Sequence, residues 1–139
     1  MKKKGFTLVE LLAVIVILGL LGTMATVSVI YVSKRLRTNM YCSKIETIEK
    51  AAELYGQDLN ESEMNISCTH GGNSYNVCTT ISVETLLNER YLDEDSDGDI
   101  IDPRDKTTSM KNNELYIYKK NNRIYASFIY NTGEEDICN

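Results

Sequence analysis

The sequence predicts an α+β fold in which one long N-terminal helix packs on a small C-terminal antiparallel sheet. Three observations predict it. Residues 11–32 carry no charge and are mostly Leu, Val, Ile, Ala, Gly or Met. A helix-period stripe follows, with neither Pro nor Gly between Lys34 and Tyr55. Two β-branched and aromatic runs then lie near the C-terminus. The 139 residues leave room for one domain of ordinary size. With 15 Lys and Arg against 20 Asp and Glu, the formal charge is −5. That balance argues against a nucleic-acid binder working by bulk charge, because phosphate contacts need clustered cations. The single long apolar run excludes a multi-span membrane protein.

As a helix, residues 11–32 would be about 33 Å long at ~1.5 Å per residue. That matches a hydrocarbon core of roughly 30 Å, whereas a secretory signal needs only about 7–15 apolar residues. Lys2, Lys3 and Lys4 precede the run and favour a cytoplasmic N-terminus. Lys34, Arg35 and Arg37 follow it and weaken that bias. Gly19 and Gly22 either loosen the helix or let helices pack closely. Glu10 stands at the start of the run, where a deeply placed carboxylate costs about 2.5–3.5 kcal/mol. It is either solvated among headgroups or retained because a partner awaits it.

Beyond the apolar run, Tyr41, Ile45, Ile48, Ala52 and Tyr55 recur at spacings of four, three, four and three, which gathers them on one helical stripe. Glu46, Glu49, Lys50 and Glu53 fall largely off it. Gly56 reads as the stop. The economical reading is one helix from about residue 6 to 55, in lipid over 6–33 and docked on an exported domain over 34–56. The stripe spans barely two heptads, so packing on a sheet is preferred to a coiled coil.

The exported domain, residues 57–139, opens with a variable stretch, 57–80, that holds Cys68 and Cys78 around His70-Gly71-Gly72-Asn73-Ser74. Ser82 reads as the N-cap of a short helix from 83 to about 91, with Glu84 in its first turn and Leu86 and Leu87 as its apolar contact. An acidic loop covers 93–105. Strands are predicted at 114–118 and 123–130, joined by Lys119-Lys120-Asn121-Asn122. Asn tolerates the positive φ that tight hairpin turns need. Ile124, Ala126, Phe128 and Tyr130 form the strand face expected against the helix.

The N-terminal residues carry a resemblance. Met1-Lys2-Lys3-Lys4-Gly5-Phe6-Thr7-Leu8-Val9-Glu10-Leu11-Leu12 looks like the leader junction of the type IV prepilin family. That family has a short basic leader ending in Gly, then Phe, then Glu as the fifth mature residue before a long apolar helix. The resemblance covers about residues 1–32 and implies a leader, 1–5, cleaved after Gly5 by a membrane prepilin peptidase, with N-methylation of Phe6. It implies that Glu10 of one subunit pairs with the Phe6 amine of a neighbour in a filament. Many members carry a proline midway along this helix; here Pro103 is the only proline. The order of elements in the exported domain is similar to that of pseudopilins, and Tyr91-Leu92, Asp102-Pro103 and Leu115-Tyr116-Ile117-Tyr118 resemble them loosely. The aromatic-glycine pair usual after Asp-Pro is replaced by Arg104-Asp105.

The four cysteines, Cys42, Cys68, Cys78 and Cys138, lie on the side expected to be exported, where disulfides form. The preferred pairing is Cys68–Cys78 and Cys42–Cys138. Four cysteines allow three pairings, and the rival readings are free thiols and a zinc site, the latter disfavoured because CxxC spacing is absent. The acidic run places Asp93, Asp95, Asp97, Asp99 and Asp102 around Gly98 in a D-x-D-x-D-G-D-x-x-D pattern. Alternate carboxylates of that kind can turn onto one Ca2+. The bidentate Glu of a complete EF-hand is missing, with Arg104 in its place, so the run is either a calcium loop or a solvated acidic turn. No other cofactor is implied.

Catalysis is not expected. The one histidine, His70, lies in a polar loop, and no phosphate-cradling loop or nucleophile elbow occurs. Asn60-Glu61-Ser62 and Asn65-Ile66-Ser67 fit a glycan acceptor pattern. The expected function is a pilin or pseudopilin subunit of a type IV pilus or a related type II secretion or DNA-uptake filament. It would wait in the cytoplasmic membrane, N-terminus in, and end in an extracytoplasmic filament. Its partners would be itself, other pilin subunits, the peptidase and a membrane assembly platform, with no nucleic acid. The alternative is a monomeric membrane-anchored domain that binds calcium or another ligand. Lys119, Lys120 and Arg123 are the sole candidate basic patch for DNA and read better as a solvated turn.

Overall fold

The computed structural model describes residues 7–60, 62–95, 98–130 and 137–138, and only the backbone of residues 24–28. The chain divides into two compact units, Met1–Arg37 and Thr38–Asn139. A single helix, α1 (Leu8–Asp58), contributes to both. In the first unit its large apolar side chains are exposed on every face, Leu8, Val9, Leu12 and Leu18 among them. A helix apolar all round finds its burial in lipid or against other helices. Among the described residues no helix is long and apolar enough to cross a membrane. The side chains of residues 24–28, midway along the apolar run, lie outside that description.

In the second unit the predicted stripe is the core. Tyr41, Ile45, Ile48 and Ala52 are buried, joined by Ala51, and Tyr55 packs at the margin. They meet a four-stranded antiparallel meander in the order β1 (Ile66–His70), β2 (Asn73–Ser82), β3 (Glu114–Lys120), β4 (Arg123–Phe128). Alternation along a strand sends successive side chains to opposite faces. Leu115 and Ile117 are accordingly buried, facing Phe128 and Ala126 by register, while Tyr116 and Tyr118 pair with Ser127 and Tyr125 on the other side. The helix packed on this sheet is the expected α+β, pilin-like arrangement.

The β3–β4 turn forms as predicted: Asn121 and Asn122 take φ of 50° and 60°, the left-handed pair of a type I′ turn. β4 ends at Phe128 instead of 130, and the Phe128 N–H donates to Glu49 Oε1 at 2.8 Å. The variable stretch holds an unpredicted hairpin, β1–β2. Its strands are rich in Asn, Ser and Thr, so they carry little apolar alternation. Gly71 and Gly72, at φ of 57° and 75°, make its turn. Ser82 caps α2 (Val83–Asn88) by accepting from the Thr85 N–H at 3.3 Å. This helix stops short of 91, where Arg90 adopts a left-handed φ of 60° and the Tyr91 N–H turns back to the Leu86 carbonyl at 2.9 Å. Tyr91 then lays its ring edge-on to Tyr55, 5.2 Å between centroids, and donates its hydroxyl to Asp58. That bond to a carboxylate holds the Tyr91 phenol above its ordinary pKa.

Gly56 does not end α1, which runs on to Asp58. Its missing side chain is a spacing requirement, because a Cβ there would lie 2.6 Å from Ile117 Cγ2 and 2.8 Å from Ile124 Cγ2. On an open helix, Gly→Ala gains up to ~1 kcal/mol. Here overpacking reverses the sign, and Gly56→Ala is expected to destabilise the detergent-solubilised chain by about 1–2 kcal/mol, read as a lower urea midpoint.

Candidate functional site: the N-terminal junction and the acidic segment

The described chain begins at Thr7, the residue before α1. The Thr7 N–H and the Thr7 hydroxyl both donate to Glu10 Oε2 at 2.9 Å. In return the Glu10 N–H donates to Thr7 Oγ1 at 3.3 Å. This is a capping box, in which a Thr and the Glu three residues on satisfy each other's backbone donors at a helix start. A carboxylate in the first turn also complements the positive end of the helix dipole. Thr7 is not among the candidate residues read from the sequence, although Thr7-Leu8-Val9-Glu10 carries the T-x-x-E signal. Gly5 and Phe6, the expected processing residues, lie outside the described residues.

Both disulfides join the cysteines in the pairing preferred from spacing. Cys42–Cys138 has a Cα separation of 5.3 Å and ties the chain end to α1 across 96 residues of sequence. Cys68–Cys78, at 6.0 Å, links β1 to β2. His70 lies beside this hairpin's turn, its ring 5.7 Å from that of Tyr118, which in turn stacks with Tyr75 and Tyr125. Burial raises the Tyr118 phenol above its usual pKa, helped by the neighbouring Tyr75, Glu49 and Glu53.

In the acidic segment the described carboxylates Asp95, Asp99 and Asp102 each have hydrogen-bond partners of their own. Asp95 accepts from Lys44 Nζ and, at 2.9 Å, from the Ile101 N–H. Asp99 accepts from the Ile100 N–H and the Ser109 hydroxyl, both at 2.7 Å. Asp102 is buried and gripped by Arg104, with Nε at 2.9 Å and Nη2 at 2.6 Å from Oδ2 and the Arg104 N–H at 2.8 Å from Oδ1. Asp93 is exposed, and Asp97 lies outside the described residues. Among the described residues, no group of three or more His, Cys, Asp or Glu is placed to hold a metal ion. The carboxylates of Asp95 and Asp102 are instead turned onto Lys44 and Arg104. The pattern in sequence shows the carboxylates and Arg104, but not that Lys44, 51 residues from Asp95, reaches it.

Arg104 also stands 3.6 Å over the centre of the Tyr41 ring, so one guanidinium joins the acidic segment to the core stripe. Removing it strands a buried carboxylate. Arg104→Ala is expected to cost about 3 kcal/mol in denaturant unfolding, and Asp102→Asn/Arg104→Ala should recover part of the loss. Asp105 accepts from the Thr108 hydroxyl and from the Thr107 and Thr108 N–H groups, which hold its carboxyl far below the ordinary range. Partial burial pushes Asp95 up, but its bonds from Lys44 and Ile101 outweigh this and leave it lowered. A depressed folded-state pKa gives stability that is present above the unfolded value, about 4, and lost as pH falls through the folded value. Thermal stability should therefore drop on acidification below about pH 4, and Asp105→Asn should flatten that limb.

Residues 1–26 match the family model of the prokaryotic N-terminal methylation motif. No curated protein and no solved structure gives a significant match. The chain thus carries, at its N-terminus, the methylation signal of type IV pilins and pseudopilins.

Proposed function

We propose that this protein is a structural filament subunit, a pilin or pseudopilin, of a type IV pilus or a related secretion or DNA-uptake system. The observation that carries the reading is the methylation motif over residues 1–26, running into a helix whose apolar side chains are exposed on every face. Prepilin peptidase cuts after Gly5 and leaves Phe6 as a methylated, positively charged N-terminus. The segment 6–33 then anchors the subunit in the cytoplasmic membrane, with residues 57–139 outside. Removal of Lys2, Lys3 and Lys4 leaves 12 basic against 20 acidic side chains, a formal −8.

Polymerisation replaces lipid around the anchor with the anchors of neighbours, supplied by the assembly platform. Glu10 is the registry element. In low-dielectric surroundings an unpaired carboxylate is costly, and the Phe6 amine of an adjacent subunit offers it a full opposite charge. Thr7 has a part in this, because its N–H and hydroxyl keep Glu10 hydrogen-bonded until that amine arrives. Nothing in the role calls for catalysis or a cofactor.

Mass spectrometry of the mature protein is expected to find methyl-Phe6 at the N-terminus, and a bulky substitution of Gly5 to leave the chain larger by the leader. Glu10→Ala should still be inserted and processed yet yield few sheared surface filaments. A mature N-terminus elsewhere, with the chain monomeric at the membrane, would favour an anchored binding domain instead.

A further inference from the structure

The charged side chains of the second unit are distributed unevenly along β3. At the β3–β4 turn, Lys120 and Arg123 face each other across the last register pair, and both are exposed. This tip belongs to the Gly56 end of α1, since Ile117 and Ile124, in β3 and β4 beside it, are the residues that crowd Gly56. Asp93 and Glu94 are exposed too, and the neighbouring Asp95 meets α1 at Lys44. The hollow that holds Asp93 and Glu94 lies at the start of β3, where the Glu84 N–H donates to the Lys111 carbonyl, whereas Lys120 and Arg123 lie at the far end of that strand, about 20 Å along it at ~3.3 Å per residue. The basic tip and the acidic segment therefore stand at opposite ends of β3. Arg90 and Lys111 share a hollow with Glu84, Asp93 and Glu94, and carboxylates outnumber cations there.

Unlike charges at opposite ends of one body suit a head-to-tail contact between copies. Such a heterologous interface repeats without closing and generates a helical polymer. A two-fold dimer built tip to tip would instead juxtapose like charges, which costs several kcal/mol.

We propose that Lys120 and Arg123 of one subunit pair with Asp93 and Glu94 of the next copy along the filament. This rests on the filament reading above and assigns that filament its contact between exported domains. The contact is solvent-exposed, so it weakens with salt and acts by selecting register more than by adding affinity.

The test uses the full chain in cells that assemble it. Lys120→Glu/Arg123→Glu is expected to lower sheared filament yield on the order of tenfold. Adding Asp93→Lys/Glu94→Lys should restore it. A carbodiimide, which joins amines to carboxylates without a spacer, should link Lys120 to Asp93 or Glu94 between subunits of the parent filament. Thermal midpoints and disulfide mapping establish that each variant is folded. Unchanged yield on reversal, failure of the folded four-site swap to restore filaments, or links from Lys120 to other carboxylates or another protein would overturn the proposal. If parent filaments form and Glu10→Ala abolishes them while the tip reversal does nothing, this contact alone is wrong. Absence of filaments from the parent chain overturns the filament reading and the contact together.

Discussion

The second unit depends on the close approach of α1 to β3 and β4. Most of an amphipathic helix's stability in a protein comes from packing its apolar face, and a sheet with one apolar face likewise needs that face covered. Each becomes stable by covering the other. Tyr41, Ile45, Ile48 and Ala52 lie against Leu115, Ile117 and Phe128, and each large side chain so buried contributes about 1.5–3 kcal/mol before ordering costs. Gly56 sets how near the two layers come at one end of this seam. At the other end, Arg104 over Tyr41 joins the loop that follows α2 to the same stripe. Between them Glu49 accepts from the Phe128 N–H at the end of β4. The disulfide from Cys42 fixes the end of the chain beside α1.

This arrangement decides how the acidic segment behaves. Its carboxylates would repel one another in isolation, and two remedies exist: a shared divalent cation, or separate partners. For Asp95 and Asp102 the fold supplies the second. Lys44 is 51 residues from Asp95 in sequence and reaches it because α1 passes beside the segment. Arg104 occupies the position where an EF-hand would place its bidentate Glu, and there it neutralises Asp102. The same substitution that breaks the metal pattern thus supplies the counter-charge.

Those distances explain what could be read in the sequence. Local periodicity was legible: the α1 stripe, the Ser82 cap, the Asn121-Asn122 turn and the buried face of β4 all follow from spacing or from one residue's backbone preference. The β1–β2 hairpin was not, because a half-exposed strand built of Asn, Ser and Thr has no apolar rhythm. Gly56 was misread for a subtler reason. Its helix-stop signal and its close-packing role look identical in sequence, and only the position of Ile117 and Ile124 separates them. Thr7 was legible in principle, since T-x-x-E before an apolar run states a capping box outright.

Thr7 and Glu10 also bear on how a subunit could wait in a membrane and still polymerise. A carboxylate fully satisfied by its own chain would have no reason to seek a neighbour, and one left bare would resist insertion. The capping box lies between these limits. It offers Glu10 hydrogen bonds from a neutral N–H and a hydroxyl, but no formal charge. Those bonds are already charge-assisted, because the acceptor is a carboxylate. What an amine from another subunit adds is a full opposite charge, whose attraction grows where water is excluded. The local bonds lower the cost of residence without removing the drive to pair. On the filament reading, that graded satisfaction makes assembly favourable while leaving the single subunit viable.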